Sequence, residues 1–348
     1  MNSVHYSDYL QLDKILGAQL RESERLQQPA HDEMLFITIH QAYELWFKQI
    51  LFEVDSVAGI MKKPAVNDNS PELQTVVHRL SRVVGILKVL VHQIDIMETM
   101  TAMDFLDFRD LLRPASGFQS WQFKALEARL GLQFKNRHGQ EYYLSQLKPH
   151  EVDHIREAEK EQTLLSLINN WLERMPFFDD PSNWLQYQMN TKEDESFNNL
   201  PPFWRDYHAV YLDGLAPVEQ QQSSLFDQVF IHPTTEERSL SPSASRAALF
   251  IMLYRGYPIL QLPFQLLNNL LEIDEQLSTW RYRHINMVQR IIGIRMGTGG
   301  STGRDYLRGA LDKHYIFTEI AQLTSFLIER RRLPKLSPEM EKRLGFLL

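Results

Sequence analysis

Apolar residues recur along this chain at steps of three and four, the spacing that gathers them on one face of an α-helix. His31 to Ala58 contains neither glycine nor proline, and Leu35, Phe36, Ile39, Tyr43, Trp46, Phe47 and Ile50 mark its apolar face. Ser70-Pro71 reads as a cap followed by proline in the first turn of a second helix. In that helix Leu73, Val77, Leu80, Val84, Leu87, Val91 and Ile94 step by four and three, a coiled-coil-like seam. Asp104 to Leu112 predicts a short helix stopped by Pro114, and after a polar stretch Leu164 to Met175 predicts another. Ser241 to Arg255 is next, then a segment broken by Pro258 and Pro263, then a long helix from Phe264 to Arg295. A last helix is expected from about Asp305 to Glu329, before Pro334. Neither an alternating strand pattern nor an internal repeat is present. The expected fold is all-α, a helical bundle forming a single domain over residues 1–348. Within it, residues 176–240 read as an insertion or subdomain of short helices and irregular chain. Pro176, Pro181, Pro201-Pro202 and Pro217 punctuate that stretch, while Trp184, Phe203, Trp204 and Tyr211 demand burial.

Composition narrows the function. The 348 residues carry 37 basic and 44 acidic side chains, a net charge of −7, with no basic patch that would favour nucleic acid. Cysteine is absent, which removes disulfides, iron–sulfur clusters, thiolate zinc sites and cysteine nucleophiles. The longest apolar run, Ala247 to Tyr254, is far too short to span a membrane, and the N-terminus lacks the apolar core of a signal peptide. A cytoplasmic protein without membrane or nucleic-acid partners is expected.

The chemistry concentrates at the end of the long helix. His284 has Leu277, Trp280, Met287, Val288 and Ile291 at helical contact spacing, so its imidazole is desolvated and its ring nitrogens need a partner. The helix opens into Gly297-Thr298-Gly299-Gly300-Ser301-Thr302-Gly303, which holds four of the fifteen glycines. Such a loop lets backbone N–H groups approach a small ligand, although a helix–helix turn is the plainer alternative. It lacks the lysine of a P-loop and the spacing of a dinucleotide fingerprint. His40 lies among Phe36, Tyr43 and Phe47; taken alone it reads first as a core histidine bonded to a carbonyl, and otherwise as a polar handle for a ligand N–H or O–H. Arg109 meets Phe105, Leu106, Leu112 and Arg113 at contact spacing and no carboxylate, whereas Arg113 has Asp110 three residues back. Either a distant acidic residue or the carboxylate of a ligand must answer the Arg109 guanidinium. His150-Glu151-Val152-Asp153-His154 matches the H-E-x-x-H zinc hydrolase pattern, but a charge run follows it and no third ligand stands at a recognisable spacing. Both histidines are expected on the surface without metal.

Four blocks in this order carry a family resemblance: YSDYLQLD from Tyr6, HDEMLFITIHQAYELWFKQI from His31, DFLDFRDLLRPASGFQS from Asp104, and WRYRH from Trp280 followed by GTGGSTG. Together they resemble the tryptophan 2,3-dioxygenases over about Tyr6 to Lys335. The resemblance implies a homotetrameric enzyme of helical fold that uses heme b, ferrous in the active state. It would insert both atoms of O2 across the indole C2–C3 bond of L-tryptophan to give N-formylkynurenine, the first step of the kynurenine route. His284 corresponds to the proximal iron ligand and His40 to the distal histidine facing the indole N–H. Phe36 and Phe105 correspond to residues packing on the indole, and Arg109 to the carboxylate clamp. Thr298 corresponds to a contact of the substrate ammonium and carboxylate, and Ser116 and Gly117 would line the distal heme face. Tyr6 and Tyr9 match residues that complete a neighbouring subunit's pocket. A heme carrier without enzymatic activity would share His284, and a zinc hydrolase would rest on His150 and His154.

Overall fold

The chain opens with three short helices, α1 (Tyr6–Leu10), α2 (Leu12–Leu16) and α3 (Glu22–Arg25), and then builds its frame from long ones. These are α4 (Glu33–Met61) and α5 (Pro71–Met97), followed by α6 (Ala102–Arg109), α7 (Trp121–Leu130), α8 (Pro149–Lys160) and α9 (Leu164–Glu173). Next come α10 (Pro202–Gly214), α11 (Gln222–Phe230), α12 (Pro242–Leu253) and the longest, α13 (Gln261–Ile292). The chain closes with α14 (Gly303–Lys313), α15 (Thr318–Gln322) and α16 (Pro338–Gly345). The computed structural model describes residues 4–140, 143–174, 181–190, 197, 200–219, 222–232, 238–293 and 303–345. Among these there is no strand, and the all-α expectation holds.

Helix α5 is the keel. Ser70 caps it as expected, its hydroxyl accepting the Leu73 N–H, with Pro71 in the first turn. The expected seam is buried, but so are Val76, Val83, Ile86, Leu90 and Met97. The apolar surface is wider than one seam because α4 and α13 both pack along α5. Around this frame α7 packs on α4 and α8, and α9 packs on α12.

Trp184, Phe203, Trp204 and Tyr211 are all buried, in the same core cluster as α5 and α13. The Phe203 ring meets Trp204 at 5.1 Å, Trp184 at 5.4 Å and Phe250 of α12 at 5.5 Å.

Three sequence expectations are corrected. Pro263 does not break the long helix but lies in its first turn, where the missing N–H has no helical partner to lose. The polar stretch after Pro114 contains α7 and α8; Lys124 and Glu127 of α7 face inward, which disguised its amphipathic pattern. The last helix is not continuous from Asp305 to Glu329: α14 ends at Lys313 and a turn precedes α15. There the Asp274 carboxylate accepts the N–H of Ile316 at 2.9 Å and that of Phe317, while Arg281 Nη1 donates to the His314 carbonyl at 3.1 Å. Side chains of α13 thus bind backbone groups that a continuous helix would have paired internally.

Candidate functional site

Beside the main core lies a smaller apolar cluster of Ala30, Ile39, Met97, Met100, Phe105, Phe108 and Ile291, with Phe36, Tyr43 and Met287 packed against it. It unites α4, the α5–α6 junction, α6 and α13, and so brings together residues about 250 positions apart in the chain. A capping box at Thr101 and Asp104 starts α6 and directs Phe105 and Phe108 inward. Phe36 stands 5.7 Å from Phe105 and 5.6 Å from Phe108, and the latter two meet edge-on at 5.4 Å. Arg109, one turn beyond Phe105, is only 4% exposed. Its neighbour Arg113 pairs with Asp110 at 3.1 Å, as the spacing required.

His40 packs on Phe36 with ring centroids 4.1 Å apart, and its Nδ1 lies 2.7 Å from the Phe36 carbonyl. A carbonyl only accepts, so Nδ1 carries the proton and donates. Burial holds the His40 pKa below its ordinary value, against that carbonyl bond and the Glu44 charge. The ring is therefore neutral, and Nε2 is left with a lone pair. The carbonyl-bonded reading drawn from the sequence is the one observed, and it leaves the second nitrogen with the lone pair that the other reading would use.

His284 is half-buried, with its Nδ1 fully covered and without a hydrogen-bond partner. Burial, with His40 nearby as a smaller cause, lowers its pKa to about 4. A neutral imidazole keeps a lone pair on one nitrogen, which is the form that ligates iron. Its ring rests 5.2 Å from Trp280, which is wedged between Tyr43 at 6.1 Å and Phe123 at 5.1 Å. Arg283, next to it in sequence, bonds Asp95 at 2.6 Å and Glu98 at 3.1 Å at the end of α5. An orphaned ring nitrogen beside an apolar cluster, with a second imidazole close by, suits a flat apolar group carrying a metal.

The remaining candidates are placed as follows. Ser116 caps a short 3-10 turn, Gly117–Gln119, its hydroxyl accepting the Phe118 N–H. A Cβ on Gly117 would meet nothing within 4 Å, so protein packing does not demand glycine there. Tyr6 and Tyr9 stand 71% and 75% exposed on α1, and neither α1 nor α2 buries a residue. Thr298 lies outside the described residues, as does its glycine loop up to Gly303, where α14 begins. His150 and His154 are exposed on α8; His154 stacks on Trp121 at 4.7 Å, and Glu151 spends its carboxylate capping the Lys148 N–H at 2.8 Å. Among the described residues no helix is long and apolar enough to cross a membrane.

Sequence reasoning passed over Arg281, which is 3% exposed and bonded to Glu127. The test applied to Arg109 would have found it: Leu277, Ser278, His284 and Ile285 stand at its contact positions, and none is acidic.

The comparisons with known proteins point to one family. The family model described as tryptophan 2,3-dioxygenase matches residues 1–327. A tryptophan 2,3-dioxygenase of Bdellovibrio bacteriovorus is 41% identical over 99% of this chain and 98% of its own length. One from Xenopus laevis is 42% identical over 97% of this chain and 85% of its own, and one from Dictyostelium discoideum is 40% identical over 99% and 88%. With the family model covering nearly the whole chain and relatives of this similarity matching it end to end, the chain belongs to the tryptophan 2,3-dioxygenase family.

Proposed function

We propose that this protein is a heme-dependent dioxygenase that converts L-tryptophan and O2 to N-formylkynurenine, opening tryptophan catabolism. The observation that carries the proposal is the pairing of two neutral histidines beside one apolar cluster, His40 with an accepting Nε2 and His284 with an orphaned nitrogen. His284 would ligate the iron of heme b, and Met287 and Ile291, one and two turns on, would supply apolar surface to the macrocycle. Ferrous heme, when bound, supplies the activation of triplet O2 that a closed-shell indole cannot achieve unaided. The protein's part is to bind, orient and exclude water. Phe36 and Phe105 would pack on the indole, and the Arg109 fork would hold the substrate carboxylate. His40 Nε2 would accept the indole N–H, which fixes the ring's rotation and brings C2 and C3 to face the oxygen. An indole N–H is a very weak acid and the His40 ring a weak base, so positioning rather than proton removal is its role. Ser116, Gly117 and Thr298 would complete the pocket from the family's pattern. Exposed Tyr6, Tyr9, Leu16 and Leu20 support burial of the N-terminal arm against another copy, as a homotetramer requires.

The test is an absorption spectrum of the reconstituted protein with and without L-tryptophan. A Soret band is expected, shifted by tryptophan, and His284→Ala should lose the heme while keeping its helix content. A band indifferent to tryptophan would mark a heme carrier instead. Stoichiometric zinc without iron would return attention to His150 and His154.

A further inference from the structure

Where α7, α13 and the turn after α14 meet, four ionisable side chains are buried together, and the proposed chemistry uses none of them. Glu127 of α7 receives Arg137 Nη1 at 2.7 Å on one carboxylate oxygen and Arg281 Nη2 at 2.6 Å on the other. His314 Nδ1 lies 3.2 Å from the oxygen that Arg281 uses. His314 Nε2 accepts the His138 N–H at 3.0 Å, so the proton sits on Nδ1 and points at Glu127. Arg281 spends its other terminal nitrogen on the His314 carbonyl at 3.1 Å. Glu127, Arg281 and His314 are each 3% exposed and Arg137 5%. Burial alone would raise the Glu127 pKa, but Arg137, the His314 bond and Arg281 outweigh it and hold the carboxyl well below the usual range.

A buried ionic node is a poor route to stability, because desolvating its charges offsets most of their attraction and apolar residues of similar volume would serve as well. Its placement suggests another use. Arg281 lies three residues before His284 on α13. Trp280, which supports the imidazole, packs on Phe123, and Phe123 lies one turn before Glu127 on α7. Helix α7 therefore grips α13 at two successive residues, and both grips fall within the turn that ends at His284. Packing at Trp280 resists translation toward α7. The Arg281 fork, bonded at both terminal nitrogens, resists rotation of α13 about its axis. A small rotation there would swing the imidazole, because a helical side chain sweeps with its backbone.

We infer that Arg281, held by Glu127 and the His314 carbonyl, is a positioning residue that fixes the rotation of α13 and hence the direction in which His284 presents its ring. The inference rests on His284 being the heme ligand. Arg281→Lys tests it in the full-length holoprotein, since lysine keeps the charge but cannot bond Glu127 and the His314 carbonyl as a planar fork. Three quantities are read: thermal unfolding, the ferrous iron–histidine stretching frequency, and heme loss to excess apomyoglobin. Glu53→Gln is the control, because Glu53 is equally buried and pairs with Arg82 at 2.6 Å between α4 and α5, away from His284. Expected for Arg281→Lys are a shifted stretching frequency and heme loss about tenfold faster, with no greater fall in melting temperature than the control shows. The control should keep the frequency and release rate of the unaltered protein. Unchanged frequency and release in Arg281→Lys would overturn the inference, as would equal changes in Glu53→Gln. Should Arg281→Lys fail to fold, Glu127→Gln takes its place with the same expectations and the same overturning results. Heme retained by His284→Ala would instead overturn the ligand assignment; heme lost there, with Arg281→Lys indistinguishable from the unaltered protein, would remove only the positioning role.

Discussion

Arg109 concentrates what a single side chain contributes here. It sits at the end of α6, one turn beyond Phe105, and is almost wholly buried. The neighbouring Arg113 shows what an ordinary arginine does on the same turn, pairing with Asp110 in solvent. If Arg109 holds the substrate carboxylate, the charge-assisted pair contributes about 1.5–3 kcal/mol, so Arg109→Lys should weaken L-tryptophan binding by at least about tenfold. Lysine keeps the charge and loses the fork, so it should rescue little. Tryptamine, which lacks a carboxylate, supplies the comparison by titration of the Soret band. The ratio of the L-tryptophan affinity to the tryptamine affinity should collapse in the variant, and an unchanged ratio would assign the carboxylate to another group.

At the scale of elements, α14 shows how tightly a side chain and a stretch of backbone can be required to meet. The His138 ring lies against Gly309 so closely that a Cβ there would overlap it. In an open helix, glycine to alanine is favourable by about 1 kcal/mol. Here overpacking, which typically costs about 1–3 kcal/mol, should win, and Gly309→Ala should lower the melting temperature. With His138→Ala already in place, the same substitution should raise it. The His314 bond runs to the His138 backbone N–H and survives that change. A double-mutant cycle by thermal unfolding measures the coupling directly, and additive effects would mean that the ring simply turns aside.

For the molecule as a whole, the question is whether the proline-punctuated segment folds with the rest. Phe203 is fully buried and touches Trp184, Trp204 and Phe250 in the core that also holds α5 and α13. Phe203→Ala should cost about 3–5 kcal/mol and move one cooperative transition rather than a fraction of it. Denaturation followed in parallel by far-ultraviolet and near-ultraviolet circular dichroism would decide, because coincident curves indicate one unit and separated curves an independent one. A single unit would mean that the aromatic layer around α10 supports the bundle bearing the histidines.

Much of this protein is legible without any fold. Apolar spacing fixes which residues of a helix share a face, and so α4, α5 and the stripe around His284 could be drawn from residues three and four apart. Caps are equally local, as at Ser70, and so is the contrast between Arg113, which has a carboxylate at helical spacing, and Arg109, which has none at that spacing. Tertiary structure decided what spacing cannot encode, namely which surface each face meets. It widened the apolar face of α5 by packing two helices on it. It broke the last expected helix at His314, where Asp274 and Arg281 claim backbone groups. It set the His40 tautomer beside the Phe36, Phe105 and Phe108 rings. The Glu127–Arg281 pair spans 154 residues, and no periodicity along one helix announces a partner that arrives from another. Local geometry depends on short-range sterics and hydrogen bonds written into each turn, whereas the pairing of buried charges depends on how long helices approach in space, which only the assembled core determines.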